Sequence, residues 1–155
     1  MPETFRTRLY RWVFNVYPAY RGTGARVTYI AGDWTEVRIR LPLNWRTRNR
    51  VKTIFGGSMY GAIDPVYMQM LMHLLGPDYV VWDKAASIRF RRPGREELYA
   101  TFRLSLDHVA EIRQFKINLR HSNLCSLYVG SPFASLEDWD ACCEKNIGVR
   151  VIVTI

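Results

Sequence analysis

The chain has 155 residues, 48% of them apolar and 14% aromatic, which excludes a disordered protein and leaves room for one domain with a sizeable core. Its net charge of +8 favours an anionic partner, whether nucleic acid, an acidic membrane surface or a phosphate-bearing metabolite. Cys125, Cys142 and Cys143 form no CxxC and have no His at ligand spacing, which argues against a disulfide framework and a zinc site.

In chain order, Phe5, Leu9, Trp12, Val13 and Val16 recur at helical spacing, with Arg6, Arg8 and Arg11 interleaved and Pro18 as the stop. Such a basic amphipathic helix can lie on a membrane, but docking on its own domain or on a neighbouring subunit is the commoner use. Arg21–Ala25 reads as a glycine turn. Val27/Tyr29 with Thr28/Ile30, and Val37, Ile39 and Leu41 alternating with Glu36, Arg38 and Arg40, predict two strands of an antiparallel hairpin. The connection Leu43–Lys52 carries a cation at every second position from Arg46.

Residues 58–75 are the one long apolar segment. Ser58 suits its N-cap and Gly76-Pro77 its stop, and apolar residues on nearly every side predict a helix buried all round. Pro65 predicts a kink beside Asp64. Strand signals follow over Tyr79–Lys84 and at Ile88 and Phe90, then a turn at Arg92–Gly94. Alternation resumes from Leu98 to Leu106, and a short helix is expected over Asp107–Gln114.

Beyond that, Phe115, Ile117 and Leu119 alternate, as do Val149, Val151, Val153 and Ile155, with a short helix suggested over Ser135–Lys145. All three cysteines lie in the last 31 residues. The charge excess lies upstream: Met1–Gln114 has 18 basic and 10 acidic residues, Phe115–Ile155 four of each. Divergence and a shifted reading frame both account for that contrast.

No run approaches the roughly 20 apolar residues of a membrane span, and the N-terminus lacks a signal peptide's apolar block, so a cytoplasmic protein is expected. Strands without intervening helices, and one enclosed helix, point to an α+β protein with an antiparallel sheet curled around that helix and an extra helix at the N-terminus. That is a hot-dog architecture, expected as a single domain over residues 1–155.

The segment Thr53–Pro65, "TIFGGSMYGAIDP", carries the chemistry. A helix start offers unpaired N–H groups and partial positive charge, and glycines let a substrate carbonyl come close, as an oxyanion hole requires. Asp64 falls two turns after Gly57 on the same helix face. At 1.5 Å per residue the two stand about 10 Å apart, too far to meet one carbonyl, so joint chemistry requires Asp64 of one subunit to face Gly57 of another. The plain alternative is a turn at the glycines and a satisfied polar group at the kink.

Phe55-Gly56-Gly57 … Ile63-Asp64 resembles, in register, the HGGxxxxLxD signature of the phenylacetyl-CoA type of hot-dog thioesterase. "NVYPAYRGTGARV", "LNWRTRNRVKTIFGGSMYGAIDPVYMQMLM" and "VVWDKAASIRFRRPGR" look more closely like an uncharacterised hot-dog family whose members are labelled tetrameric acyl-CoA thioesterases. The resemblance covers about residues 5–114 and leaves 115–155 atypical. It implies Asp64 as general base or nucleophile and the Gly57 N–H as oxyanion donor, with Gly56 and Ser58 beside it.

It also implies an acyl channel or core contacts from Met68, Leu71 and Met72, core being the better reading of a Met stripe. Arg89, Arg91 and Arg92 would hold the phosphates of coenzyme A, or form only a solvated strand face. The implied substrate is a coenzyme A thioester, with no metal or further cofactor, and the assembly a homodimer or homotetramer. Phe55 stands where the signature has His, which disfavours dehydration and removes a helper from hydrolysis. A non-catalytic acyl-CoA or lipid-binding module is the second reading. Nucleic-acid binding has only the charge and Trp45 among the cations behind it.

Overall fold

The computed structural model describes residues 1–90, 92–118, 126–127 and 147–154. Helix α1 spans Phe5–Val16 and α2 Pro18–Thr23; strands β1, Arg26–Ile30, and β2, Glu36–Leu41, follow. The long helix α3 is Gly56–Leu75, then β3 is Trp82–Phe90, β4 Leu98–Arg103, α4 Leu106–Asn118, β5 Ser126–Leu127 and β6 Ile147–Thr154. The strands form two antiparallel groups, β1-β2-β4 and β3-β6-β5. This is the hot-dog arrangement that the alternation predicts, with helices added at the N-terminus.

Alternation sets the faces of the first sheet. Val27 and Ile30 of β1, Val37, Ile39 and Leu41 of β2 and Phe102 of β4 are buried, and the arginines between them point out. Across β2 and β4, Val37 pairs with Phe102 and Leu41 with Leu98, so the apolar sets share one side. They meet Met59, Ala62, Ile63, Val66, Met70 and Leu71 of α3, of which Met70 and Leu71 are fully enclosed.

Helix α3 is not buried all round. It begins at Gly56, two residues before the expected cap, so Ser58 lies inside the first turn and is buried. In its first turns the buried residues Met59, Ala62, Ile63 and Val66 form one face and Gly57 and Asp64 lie on the other, exposed and half-buried, whereas in the last turns Leu71 and Leu75 bury that side as well. The helix continues through Pro65, and the buried Tyr20 hydroxyl donates to the Ala62 carbonyl at 3.2 Å, in the turn preceding the proline.

Pro18 does not simply end a helix. It opens α2 at the first position, where its missing N–H costs nothing, and Gly24 closes that helix in the left-handed region at φ +83°. The alternation of Phe115 and Ile117 does not become a strand: α4 runs on to Asn118. Val109 and Ile112 bury one face of α4, and Arg113 donates to the Leu74 carbonyl at 2.5 Å, at the C-terminal end of α3. Extending an anchored helix costs less than nucleating a new element, so the local alternation loses. The strand expected near the C-terminus forms as β6, paired with β3 from Trp82↔Thr154 to Phe90↔Ile147. The helix suggested over Ser135–Lys145 and the three cysteines lie outside the described residues.

The N-terminal segment closes the outer edge of β1. The Asn15 side chain accepts from the Val27 N–H at 2.8 Å and donates to the Val27 carbonyl at 2.9 Å, as a neighbouring strand would. Glu3 accepts from the Ile30 N–H at 3.1 Å while holding Arg11 at 2.9 Å. An open edge invites pairing with another chain, and these side chains occupy it. Tyr10 locks the helix down from above, meeting Trp34 and His73 edge-on, while His73 stacks on Trp34 with ring centroids 3.6 Å apart.

Candidate active site

The start of α3 is built by the loop before it. Thr47, fully enclosed, donates through its hydroxyl to the Pro42 carbonyl at 2.5 Å and accepts from the Asn44 N–H at 3.0 Å. Its own carbonyl then takes the Phe55 N–H at 2.8 Å, and Asn49 binds Thr53 through both backbone and side chain. The next residue, Ile54, donates to the Gly94 carbonyl at 2.8 Å, which brings the turn after β3 alongside. The polar Asn and Thr residues of the loop thus fix where the helix begins.

At that start the N-cap is Phe55, whose side chain cannot accept a hydrogen bond, and no side chain caps the helix. Among the described residues the N–H groups of Gly56, Gly57 and Ser58 have no acceptor. Three donors and the positive end of a 20-residue helix therefore converge on one spot. Two rings flank it. Phe90 approaches to 3.0 Å of where a Cβ on Gly56 would stand, and the Phe55 ring lies directly against the Gly57 position. A Cβ on Gly56 would press on Phe90, and one on Gly57 would displace the exposed Phe55 ring.

Asp64 sits two turns further on, half-buried, on the same side of the helix as Gly57. Its side chain has no hydrogen bond or ion pair among the described residues. Met68, one turn beyond, is partly buried against the core, Leu71 is wholly core and Met72 is exposed. The chain alone does not bring Asp64 to Gly57, because a continuous helix holds them about 10 Å apart.

Cations gather around the helix start. Arg46, Arg48, Arg50 and Lys52 are exposed on the loop that Thr47 and Asn49 fold, and Arg46 lies over the exposed Trp45 ring at 6.0 Å. Arg92 is exposed two residues before Gly94. Arg89 lies on the backbone of β3, and Arg91 falls outside the described residues. Phe90 and Gly94 carry no signal in the sequence as parts of this site, since both act through contacts distant along the chain. No group of three His, Cys, Asp or Glu residues among the described residues could hold a metal.

A long helix packed against antiparallel strands, with helices added at the N-terminus, defines the hot-dog fold. The chain belongs to the family described as "Domain of unknown function (DUF4442)", which matches residues 6–124. Its fold is similar to that of a Pseudomonas aeruginosa protein of unknown function described as a "Probable Thioesterase". That likeness has a TM-score of 0.68 and 16% identity, over 99% of this chain and 96% of the other. A Haemophilus influenzae thioesterase matches with a TM-score of 0.60 and 12% identity, over 98% and 91% of the two chains. The mouse thioesterase superfamily member 2 matches at 0.57 and 13%, over 97% of each. None of the curated proteins is a match.

Proposed function

We propose that the protein is a thioesterase-like hydrolase of acyl-CoA, with a site shared between two subunits. The observation that carries this reading is on α3. Helix α3 starts with uncapped N–H groups at Gly56 and Gly57, and two turns on, on the Gly57 side, stands Asp64, a half-buried carboxylate without a partner among the described residues. The Gly57 N–H would hold the thioester oxygen as it becomes an oxyanion. Asp64 of the second subunit would take a proton from the attacking water, whose oxygen bonds to the carbonyl carbon, or attack that carbon itself. The carbon–sulfur bond then breaks and the coenzyme A thiolate leaves, protonated in the first case by Asp64; in the second, water hydrolyses the mixed anhydride on Asp64 and supplies that proton. The cationic loop Arg46–Lys52 and Arg92 would hold the coenzyme A phosphates, and Met68 and Met72 would meet the acyl chain.

Phe55 favours a second reading, an acyl-CoA binder without turnover: its ring covers the Gly57 position that a substrate carbonyl would approach. A panel of short, long and aromatic acyl-CoA substrates separates the two. Hydrolysis by the wild type that Asp64→Ala abolishes, with binding retained, supports the enzyme. Full turnover in Asp64→Ala sinks the mechanism, and saturable binding without release of free thiol by the wild type establishes the binder.

A further inference from the structure

The apolar stripe of α1 does not face the protein. At 100° per residue Phe5, Leu9, Trp12 and Val16 fall within about 60° of one another. All four are exposed, Phe5 at 82% and Trp12 at 63%. The face that docks is the opposite one, where Thr7 is buried, Phe14 meets Tyr20 at 4.5 Å and Tyr10 meets Trp34 and His73. Val13 and Tyr17 widen the exposed patch.

Its charges have a matching order. Arg6 and Arg8 are exposed on opposite flanks of the stripe and are in no ion pair among the described residues, whereas Arg11, nearer the docked face, is held by Glu3. The helix contains no acid at all. A second copy packed stripe against stripe would bring its own Arg6 and Arg8 against these two, with no carboxylate on either helix to relieve them. A 12-residue helix is also about 18 Å long, so one stripe offers a few hundred Å², short of the about 800 Å² per partner of a stable interface. A lipid surface has neither difficulty. It accepts Phe, Leu and Trp at the acyl boundary and supplies phosphates on both flanks.

We propose that α1 is an interfacial anchor that lies on an anionic bilayer, its Phe5-Leu9-Trp12-Val16 stripe in the acyl boundary and Arg6 and Arg8 on headgroup phosphates. No helix among the described residues is long and apolar enough to cross a membrane, so the contact is a surface one.

The test is sedimentation of the full chain with phosphatidylcholine vesicles and with the same vesicles carrying phosphatidylglycerol. The protein should pellet with the anionic vesicles, less so as salt rises, and stay in solution with the neutral ones. Phe5→Ser/Trp12→Ser should abolish pelleting while the thermal midpoint stays put, because both side chains are exposed. Arg6→Gln/Arg8→Gln should weaken it about 30-fold, at roughly tenfold or less per lost cation. Pelleting that survives Phe5→Ser/Trp12→Ser overturns the proposal, since the general +8 charge would then suffice. So does absence of pelleting with either vesicle. In that case a lower mass of Phe5→Ser/Trp12→Ser in sedimentation velocity would assign the stripe to a second copy. A lower thermal midpoint would assign it to the chain's own remaining residues.

Discussion

Gly57 and Gly24 would each be crowded by an added methyl group, yet the two substitutions should have opposite effects on stability. At Gly57 the obstacle is the Phe55 ring, which is more than half exposed and free to swing outward. Alanine also favours a helix over glycine by up to about 1 kcal/mol. Gly57→Ala should therefore leave the midpoint of chemical denaturation unchanged or raised, while the methyl group crowds the donors at the helix start and weakens acyl-CoA turnover or binding. At Gly24 the obstacle is the methyl of Thr47, which is fully enclosed, and the backbone is left-handed. Gly24→Ala should cost about 1–3 kcal/mol in the same measurement. Because Thr47 also receives the Phe55 N–H, that variant should disturb the start of α3 as well. "FGG" at the head of an apolar segment already points to close approach. That the approaching groups are aromatic rings, one of them Phe90, is decided by a strand 34 residues further along the chain.

Elements are tied to one another by a few polar side chains. Asn15 joins α1 to β1 through two hydrogen bonds, and Asn15→Ala should cost about 1–3 kcal/mol, measured by urea unfolding, because both backbone groups of Val27 lose their partner. Glu36 joins β2 to β4, receiving Arg38 at 2.5 Å and Arg103 at 3.2 Å. The Arg38 hydrogen bond, then that of Arg103, outweighs partial desolvation and holds the Glu36 carboxyl below its ordinary value of 4.5. A depressed carboxylate contributes stability that is present above the ordinary value and is lost as pH falls through the folded one. Glu36→Gln should accordingly be the less stable protein at neutral pH, and the gap should close in unfolding curves taken at successively lower pH below about 4.5. Both strands are legible in the amino-acid alternation alone. The pairing of β2 with β4 across the whole of α3 is not, since nothing local specifies which strand lies next to which.

For the whole molecule, the distance along α3 is the decisive quantity. Seven residues of unbroken helix separate Gly57 from Asp64, so one chain cannot present both to a single carbonyl. The shared-site proposal predicts complementation. Asp64→Ala and Gly57→Val, each inactive alone, should regain about a quarter of wild-type activity when unfolded together and refolded as a mixture. Half the dimers are then mixed, and each of those holds one intact site. No regain would place the site within one subunit or remove it altogether. The core makes the opposite demand: Met70 and Leu71 are enclosed within the chain, and Leu71→Ala should cost about 2–5 kcal/mol with no dependence on protein concentration if the subunit is stable alone.

By itself the sequence determined the local periods: two alternating strands, one long apolar helix headed by glycines, an acid two turns on, and a basic N-terminal helix. These follow from side-chain spacing, which the backbone geometry of each element converts directly into faces. Only the tertiary structure decided which face is used. Helix α3, apolar nearly all round, leaves Gly57 exposed and Asp64 half-buried, because its first turns bury Met59, Ala62, Ile63 and Val66 on the opposite face. Helix α1 docks through Thr7, Tyr10 and Phe14, and turns Phe5, Leu9, Trp12 and Val16 outward, because Asn15, Glu3 and Tyr10 bind β1 and its turn more specifically than an apolar stripe can. Hydrophobic burial has no direction, whereas hydrogen bonds to a strand edge do.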